Sequence, residues 1–209
     1  MCLTKKPSTV YWLENNLYLN VTNKCSNDCY FCLRKILNGV GGFNLKLSSE
    51  PSTRKVISEL EKVLNKRNWS EAVFCGFGEP LERLDCVSEV TGWIRKNYGK
   101  PIAVRIDTNG HGYLLNKGRR VLEELKETGV DKMSLSLNAH DKVTYNQVCR
   151  PRFEDAFESV LDFVERAKEY FNVEVTAVTI PEVDISKVKG IAKEMGVKFR
   201  TRKLLPGFW

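Results

Sequence analysis

Apolar residues recur along this chain at two alternating spacings. Short runs of strand length and β-branched or apolar content are LYLNVT (17–22), AVFC (72–75), IAVRID (102–107), KMSLSL (132–137), EVTAVTI (174–180) and KFRTR (198–202). Several have few polar positions, the pattern of strands buried on both faces. Between them, apolar residues fall three and four apart, as on amphipathic helices. Thr53–Asn65 carries Val56, Leu60, Val63 and Leu64; Leu84–Asn97 carries Val87, Val90 and Ile94. Arg119–Thr128, Glu154–Phe171 and Ser186–Met195 repeat the pattern. Ser52 and Asp155 are helix-start residues, and Gly129 and Gly196 stand where two helices should stop. Ahead of all this, Thr9–Leu13 and Leu17–Thr22 flank the turn signal Glu14-Asn15-Asn16, which predicts an opening hairpin.

Strand and helix in repeated alternation give an α/β fold with a mostly parallel sheet, because right-handed crossovers bring successive strands side by side. Six such strands are two short of a closed eight-stranded barrel. An open doubly wound sheet and a partial barrel both remain. In either, chemistry gathers at the carboxyl ends of the strands. Four motifs fall there: the cysteine loop NKCSNDCYFC (23–32), Gly76-Phe77-Gly78-Glu79-Pro80, Thr108-Asn109-Gly110 and Asn138-Ala139-His140. With no internal repeat or obvious linker, one domain over 1–209 is expected. Residues 1–16 would be a hairpin plug and 17–205 the sheet and its helices, with Tyr11, Leu13, Leu17 and Leu19 closing one barrel end.

Composition changes the picture little. The chain has 209 residues, 42% hydrophobic and 28% charged, enough for one sizeable core. No apolar run reaches the roughly 18 residues a membrane helix needs, and the first residues lack a signal-peptide core. A soluble cytoplasmic protein is the expectation. The net charge of +7 is spread over Lys117–Arg120, Arg150–Arg152 and Arg200–Lys203 without an aromatic-interleaved stripe, so it reads as a solvated basic surface. Abundant Lys and Glu with a single glutamine, Gln147, is the bias of heat-stable proteins.

Cysteine usage changes more. Cys25, Cys29 and Cys32 crowd one loop of a chain that shows no disulfide framework, which points to metal or redox chemistry. A structural zinc would want a fourth ligand. His111 and His140 are isolated, and Cys75, at the end of the second strand, is the one alternative thiolate, though a small buried strand residue is its plainer reading. Three thiolates on a four-iron cubane would leave one iron open to a small molecule.

Cys25-x3-Cys29-x2-Cys32, with Phe31 before the last cysteine, resembles the signature of the radical S-adenosylmethionine (radical SAM) enzymes. The resemblance implies a partial (β/α)6 TIM-like barrel whose Cys25, Cys29 and Cys32 hold a [4Fe-4S] cluster. S-adenosylmethionine would chelate the fourth iron and be cleaved to a 5′-deoxyadenosyl radical that abstracts hydrogen from a substrate. Gly76, Phe77, Gly78, Glu79 and Pro80 are similar to the GGEP element that binds the methionine amino group, with Phe77 in place of the commoner glycine. By the same resemblance Thr108 and Asn109 would meet the ribose or carboxylate, Ser136 and Asn138 the ribose, and Val178 the adenine. The fifth strand, VTIPE (178–182), lacks the usual glycine-rich adenine motif. LYLNVTNKCSNDCYFCLR and SLNAHDKVTYNQVCRP look like the subgroup linked to TatD-family hydrolases.

Arg150, Arg152 and His140 are the candidate substrate contacts, against plain solvated loop residues; His111, also on the rim, could bind substrate or move a proton, against the expected exposed loop histidine. Cys149 is either a reactive thiol or a packed side chain. The expected partners are an external flavodoxin- or ferredoxin-like electron donor, a TatD-type hydrolase or protein substrate, and a second copy of the chain. Little polypeptide follows the sixth strand, so a large substrate or a partner is expected to close the barrel; the tail KLLPGFW is expected to pack over it. Two other functions stay open: a glycyl-radical activase acting on a partner protein, and a non-catalytic iron–sulfur or zinc protein with a basic RNA-binding surface.

Overall fold

The structure is a computed structural model that describes residue 4 and residues 6–204; Cys2 and residues 205–209 of the tail lie outside the described residues. Its centre is one seven-stranded sheet. β1 (Val10–Leu13) pairs antiparallel with β2 (Asn16–Leu19), and the two-residue turn between them puts Glu14 at a φ of 53°. A small hairpin, β3 (Gly39–Val40) and β4 (Phe43–Asn44), stands apart. From β2 the sheet runs in parallel through β5 (Glu71–Phe74), β6 (Ala103–Thr108), β7 (Lys132–Ser136), β8 (Asn172–Thr179) and β9 (Lys198–Lys203). Six parallel strands in chain order, with helices between them, make the partial TIM-like barrel, with β1 as its antiparallel edge.

The helices are α1 (Thr53–Leu64), α2 (Leu84–Asn97), the short α3 (Gly112–Leu115), α4 (Val121–Thr128), α5 (Lys142–Cys149), α6 (Ala156–Ala167) and α7 (Ile185–Glu194). Their apolar stripes bury as spaced: Val56, Leu60 and Leu64 on α1, and Phe157, Val160, Phe163, Val164 and Ala167 on α6. Ser52 caps α1 by accepting from the Lys55 amide, and Gly129 ends α4 at a φ of 102°, a conformation glycine adopts at no steric cost. Asp155 precedes α6 without a side-chain cap bond. Helix α5 has no counterpart in the sequence expectations. It is only two turns long and leaves Val143 exposed, so its periodicity is weak; its one legible signal is Asp141, which accepts from the Thr144 amide at 2.7 Å.

The two faces of the sheet differ, and this corrects the expectation of strands apolar on both sides. Leu17, Leu19, Ala72, Phe74, Val104, Ile106, Met133, Leu135, Val173 and Val175 face the helices and are buried. The alternate residues, in register across the strands, face the barrel lumen and are mostly polar: Tyr18, Glu71, Arg105, Asp107, Lys132, Ser136, Glu174, Arg200 and Arg202. An open barrel keeps its lumen as a site and fills only its outer layer with core, so the period of two survives. A satellite core of Tyr11, Leu45 and Phe77, with Tyr11 stacked on Tyr18 at 5.0 Å, sits under the β3–β4 hairpin.

Candidate active site

The cysteine loop leaves β2 at the carboxyl rim, and several backbone-directed bonds set its path. Arg34 donates to the carbonyls of Asn23 (3.1 Å), Asn27 (3.3 Å) and Phe77 (3.4 Å), stapling the loop across itself and to the next one. Asn27 Nδ2 donates to the Tyr145 hydroxyl at 3.0 Å. His111 is fully buried, contrary to its expected exposure: its Nδ1 meets Ser26 Oγ at 2.8 Å and its Nε2 the Tyr145 hydroxyl at 3.1 Å. Burial pushes His111 down to about 4, so both ring nitrogens serve as neutral hydrogen-bonding groups.

GFGEP closes on this loop. The glycines are demanded by protein, not by open space for a ligand. A Cβ on Gly78 would meet the carbonyl oxygens of Lys24 and Thr22 at 2.4 and 2.5 Å, and one on Gly76 would meet Asn20 Oδ1 at 2.0 Å. The Glu79 amide donates to the Lys24 carbonyl at 2.7 Å. Phe77 packs in the satellite core, which gives the unusual residue a structural role.

Glu79 joins the third motif. Its carboxylate accepts from the Leu81 amide (3.0 Å), Thr108 Oγ1 (2.7 Å) and the Asn109 amide (2.6 Å). Burial pushes its pKa up to about 7 in spite of those donors. Asn109 Nδ2 in turn donates to Ser26 Oγ at 2.8 Å and lies 3.7 Å from Cys25 Sγ. The side chains of Glu79, Thr108 and Asn109 therefore lace three rim loops together. Pro80 opens the short 3-10 helix that leads into α2.

The thiols differ among themselves. Burial, then the nearby Glu79 carboxylate, pushes Cys25 up to about 12, and burial raises Cys32. A hydrogen bond from Cys149 lowers Cys29 and correspondingly raises the fully buried Cys149. Cys149 is thus a packed neighbour of a cluster-ligand candidate. Phe31 is buried and edge-on to Tyr30. Cys75 stands apart, and burial, then the Asp107 carboxylate, pushes its thiol up. Among the described residues, no three His, Cys, Asp or Glu side chains converge as a single-ion site needs. Three free thiols of one loop match in number and kind the donors a cubane would take, one to each of three irons, and that needs no such convergence.

The remaining candidates separate. Asn138, at a φ of 57°, accepts at Oδ1 from the Val178 amide (3.2 Å) and from Arg202 Nη2 (2.9 Å), which also reaches Ser136 Oγ at 3.2 Å. Val178 lies beside Arg202 in the sheet register. His140 Nδ1 accepts from the Asp184 amide at 3.3 Å, joining two rim loops. Arg150 and Arg152 face away from the lumen. They line an outer basin of about 530 Å³ with Lys142, Asn146 and Phe153, and Arg152 lies over the Phe153 ring and 3.6 Å from Glu82. Ser26, Asn27, Arg34, Tyr145 and Arg202 escaped prediction as site residues. Only for Arg202 was a signal present, its in-register alternation with Arg200.

Fold and site together define a class: partial parallel barrels carrying a three-thiol loop on the carboxyl rim. Residues 19–195 match the model of the Radical SAM superfamily, and the chain belongs to that superfamily. Its members use a [4Fe-4S] cluster and S-adenosylmethionine. An uncharacterized protein of Methanocaldococcus jannaschii is 26% identical over 85% of this chain and 52% of its own length. A probable GTP 3′,8-cyclase of Methanococcus maripaludis is 32% identical over 72% of this chain and 44% of its own. The crystal structure of Streptococcus suis SuiB superposes with a TM-score of 0.68 at 15% identity, covering 99% of this chain and 42% of that one. The chain thus spans about half the length of the curated relatives it matches.

Proposed function

We propose that this chain is the barrel of an enzyme that cleaves S-adenosylmethionine reductively and takes hydrogen from a substrate. The observation that carries the reading is the lacing of the cysteine loop to GFGEP and TNG through Glu79, Thr108 and Asn109 at one rim. Cys25, Cys29 and Cys32 would hold the [4Fe-4S] cluster. When bound, the reduced cluster supplies the electron that splits the sulfonium and yields the 5′-deoxyadenosyl radical. Asn109 offers an N–H to Cys25; such a donor to ligand sulfur stabilises the thiolate and tunes the potential. Thr108, Asn109, Ser136, Asn138 and Val178 are read as the wall the nucleoside meets. The free thiols suit a reducing cytoplasm, with an external flavodoxin- or ferredoxin-like donor. The LYLNVTNKCSNDCYFCLR and SLNAHDKVTY stretches support a TatD-linked subgroup, and with it a hydrolase or protein partner at the open side. A second copy of the chain is the other partner in this reading.

The test is low-temperature EPR of anaerobically reconstituted, dithionite-reduced protein. A [4Fe-4S] signal that shifts when S-adenosylmethionine is added is the expected result. A signal indifferent to it, or zinc bound with no reducible cluster, would overturn the reading.

A further inference from the structure

The lumen-facing charges of β5 through β9 comprise three carboxylates and five cations, and every carboxylate is taken. Glu71 pairs with Arg105 at 2.6 Å and with Lys132 at 2.8 Å. Asp107 accepts from Arg105 Nε at 2.8 Å, and Glu174 pairs with Arg200 at 2.8 Å. Lys198 and Arg202 are left over; Lys198 is exposed at the start of β9, whereas Arg202 is half-buried. Among the described residues it has no ion pair, and its contacts are two neutral acceptors, Ser136 Oγ and Asn138 Oδ1, which fix the guanidinium at the carboxyl end of β7. Its Nε is shielded from solvent with no acceptor at all.

A guanidinium cannot shed its proton to escape burial. A half-buried cation with a shielded, unused donor is costly unless an acceptor arrives. Asp107 and Cys29 are near enough for charge on either to be felt, yet Asp107 is committed to Arg105 and Cys29 to the cluster it would hold. Charge at Cys29 would offset part of the cation, but the shielded Nε still lacks an acceptor, and a ligand in the lumen can bring one.

We propose that Arg202 anchors a carboxylate or phosphate carried by a molecule that occupies the lumen. The inference deepens the radical reading and rests on it for the cofactor beside this site. The same chemistry is offered by the substrate and by the carboxylate of S-adenosylmethionine itself, and the experiment separates them.

Holoprotein, Arg202→Gln and Arg202→Lys would be compared for the dissociation constants of inorganic pyrophosphate, S-adenosylmethionine and decarboxylated S-adenosylmethionine. A charge-assisted fork contributes about tenfold or more in affinity. If Arg202→Gln weakens pyrophosphate by that factor and leaves S-adenosylmethionine alone, the anion belongs to the substrate. If S-adenosylmethionine weakens and its decarboxylated analogue does not, the anion is the cofactor's. Arg202→Lys keeps the charge and is expected to fall between, and it carries the test should Arg202→Gln fail to fold. Unchanged affinities for all three probes would overturn the inference and reduce Arg202 to a brace for Ser136 and Asn138. A parent whose cluster spectrum ignores S-adenosylmethionine, yet which loses pyrophosphate with Arg202, would sink the radical reading and leave the anion site standing.

Discussion

Adding one methyl group at Gly78 should break the joint between GFGEP and the cysteine loop. The new Cβ would sit 2.4 Å from the Lys24 carbonyl oxygen, 2.5 Å from that of Thr22 and 2.9 Å from the Asn23 carbonyl carbon. Ordinary carbon–oxygen contacts begin at about 3.3 Å, so the segments must part by about 1 Å. All three atoms are backbone and cannot rotate away. The Glu79 amide bond to the Lys24 carbonyl, 2.7 Å long, would stretch past bonding range. Overpacking costs about 1–3 kcal/mol and the lost bond about 1 more, so Gly78→Ala should destabilise by about 2–4 kcal/mol. Cys25 follows Lys24 directly, so cluster loading should fall with it. The assays are denaturant unfolding of the metal-free chain and iron and sulfide content after anaerobic reconstitution. A Gly78→Ala protein that unfolds with the parent and loads a full cluster would refute the close-approach account.

Three further expectations follow from the same structure. Because burial lowers His111 to about 4 from 6.5, the unfolded chain takes up its proton first on acidification. That contribution is whole above about pH 6.5 and shrinks as pH falls towards 4, by about 3 kcal/mol at about 1.4 kcal/mol per pKa unit; His111→Gln should flatten this part of the stability–pH profile, and an unchanged slope would count against a neutral buried ring. Phe77→Ala should cost about 3 kcal/mol by emptying the satellite core shared with Tyr11 and Leu45, while the EPR response to S-adenosylmethionine persists; loss of the response at full cluster content would place the ring in the binding site instead. Gly92 and Gly190 lie inside α2 and α7 with open space where a Cβ would go, so alanine at either should raise stability by about 0.5–1 kcal/mol in the same unfolding assay, and a loss there would mean unseen crowding.

The order of strands and helices, the hairpin, and the placement of four motifs on one rim were determined by the sequence itself. These are local matters: a period of two or of three to four, a cap at Ser52, a stop at Gly129, a CxxxCxxC spacing. The roles of single side chains were decided elsewhere. Whether Glu79 meets a ligand or the Asn109 amide, or whether His111 lies in solvent or under Ser26 and Tyr145, depends on atoms 30 or more positions away in the chain. Arg200 and Arg202 show the division well. Their shared face is written in the alternation of KFRTR, but Glu174 pairs with one, and among the described residues no carboxylate pairs with the other. Charge pairing across strands is set by register and barrel curvature, and only the assembled sheet fixes those.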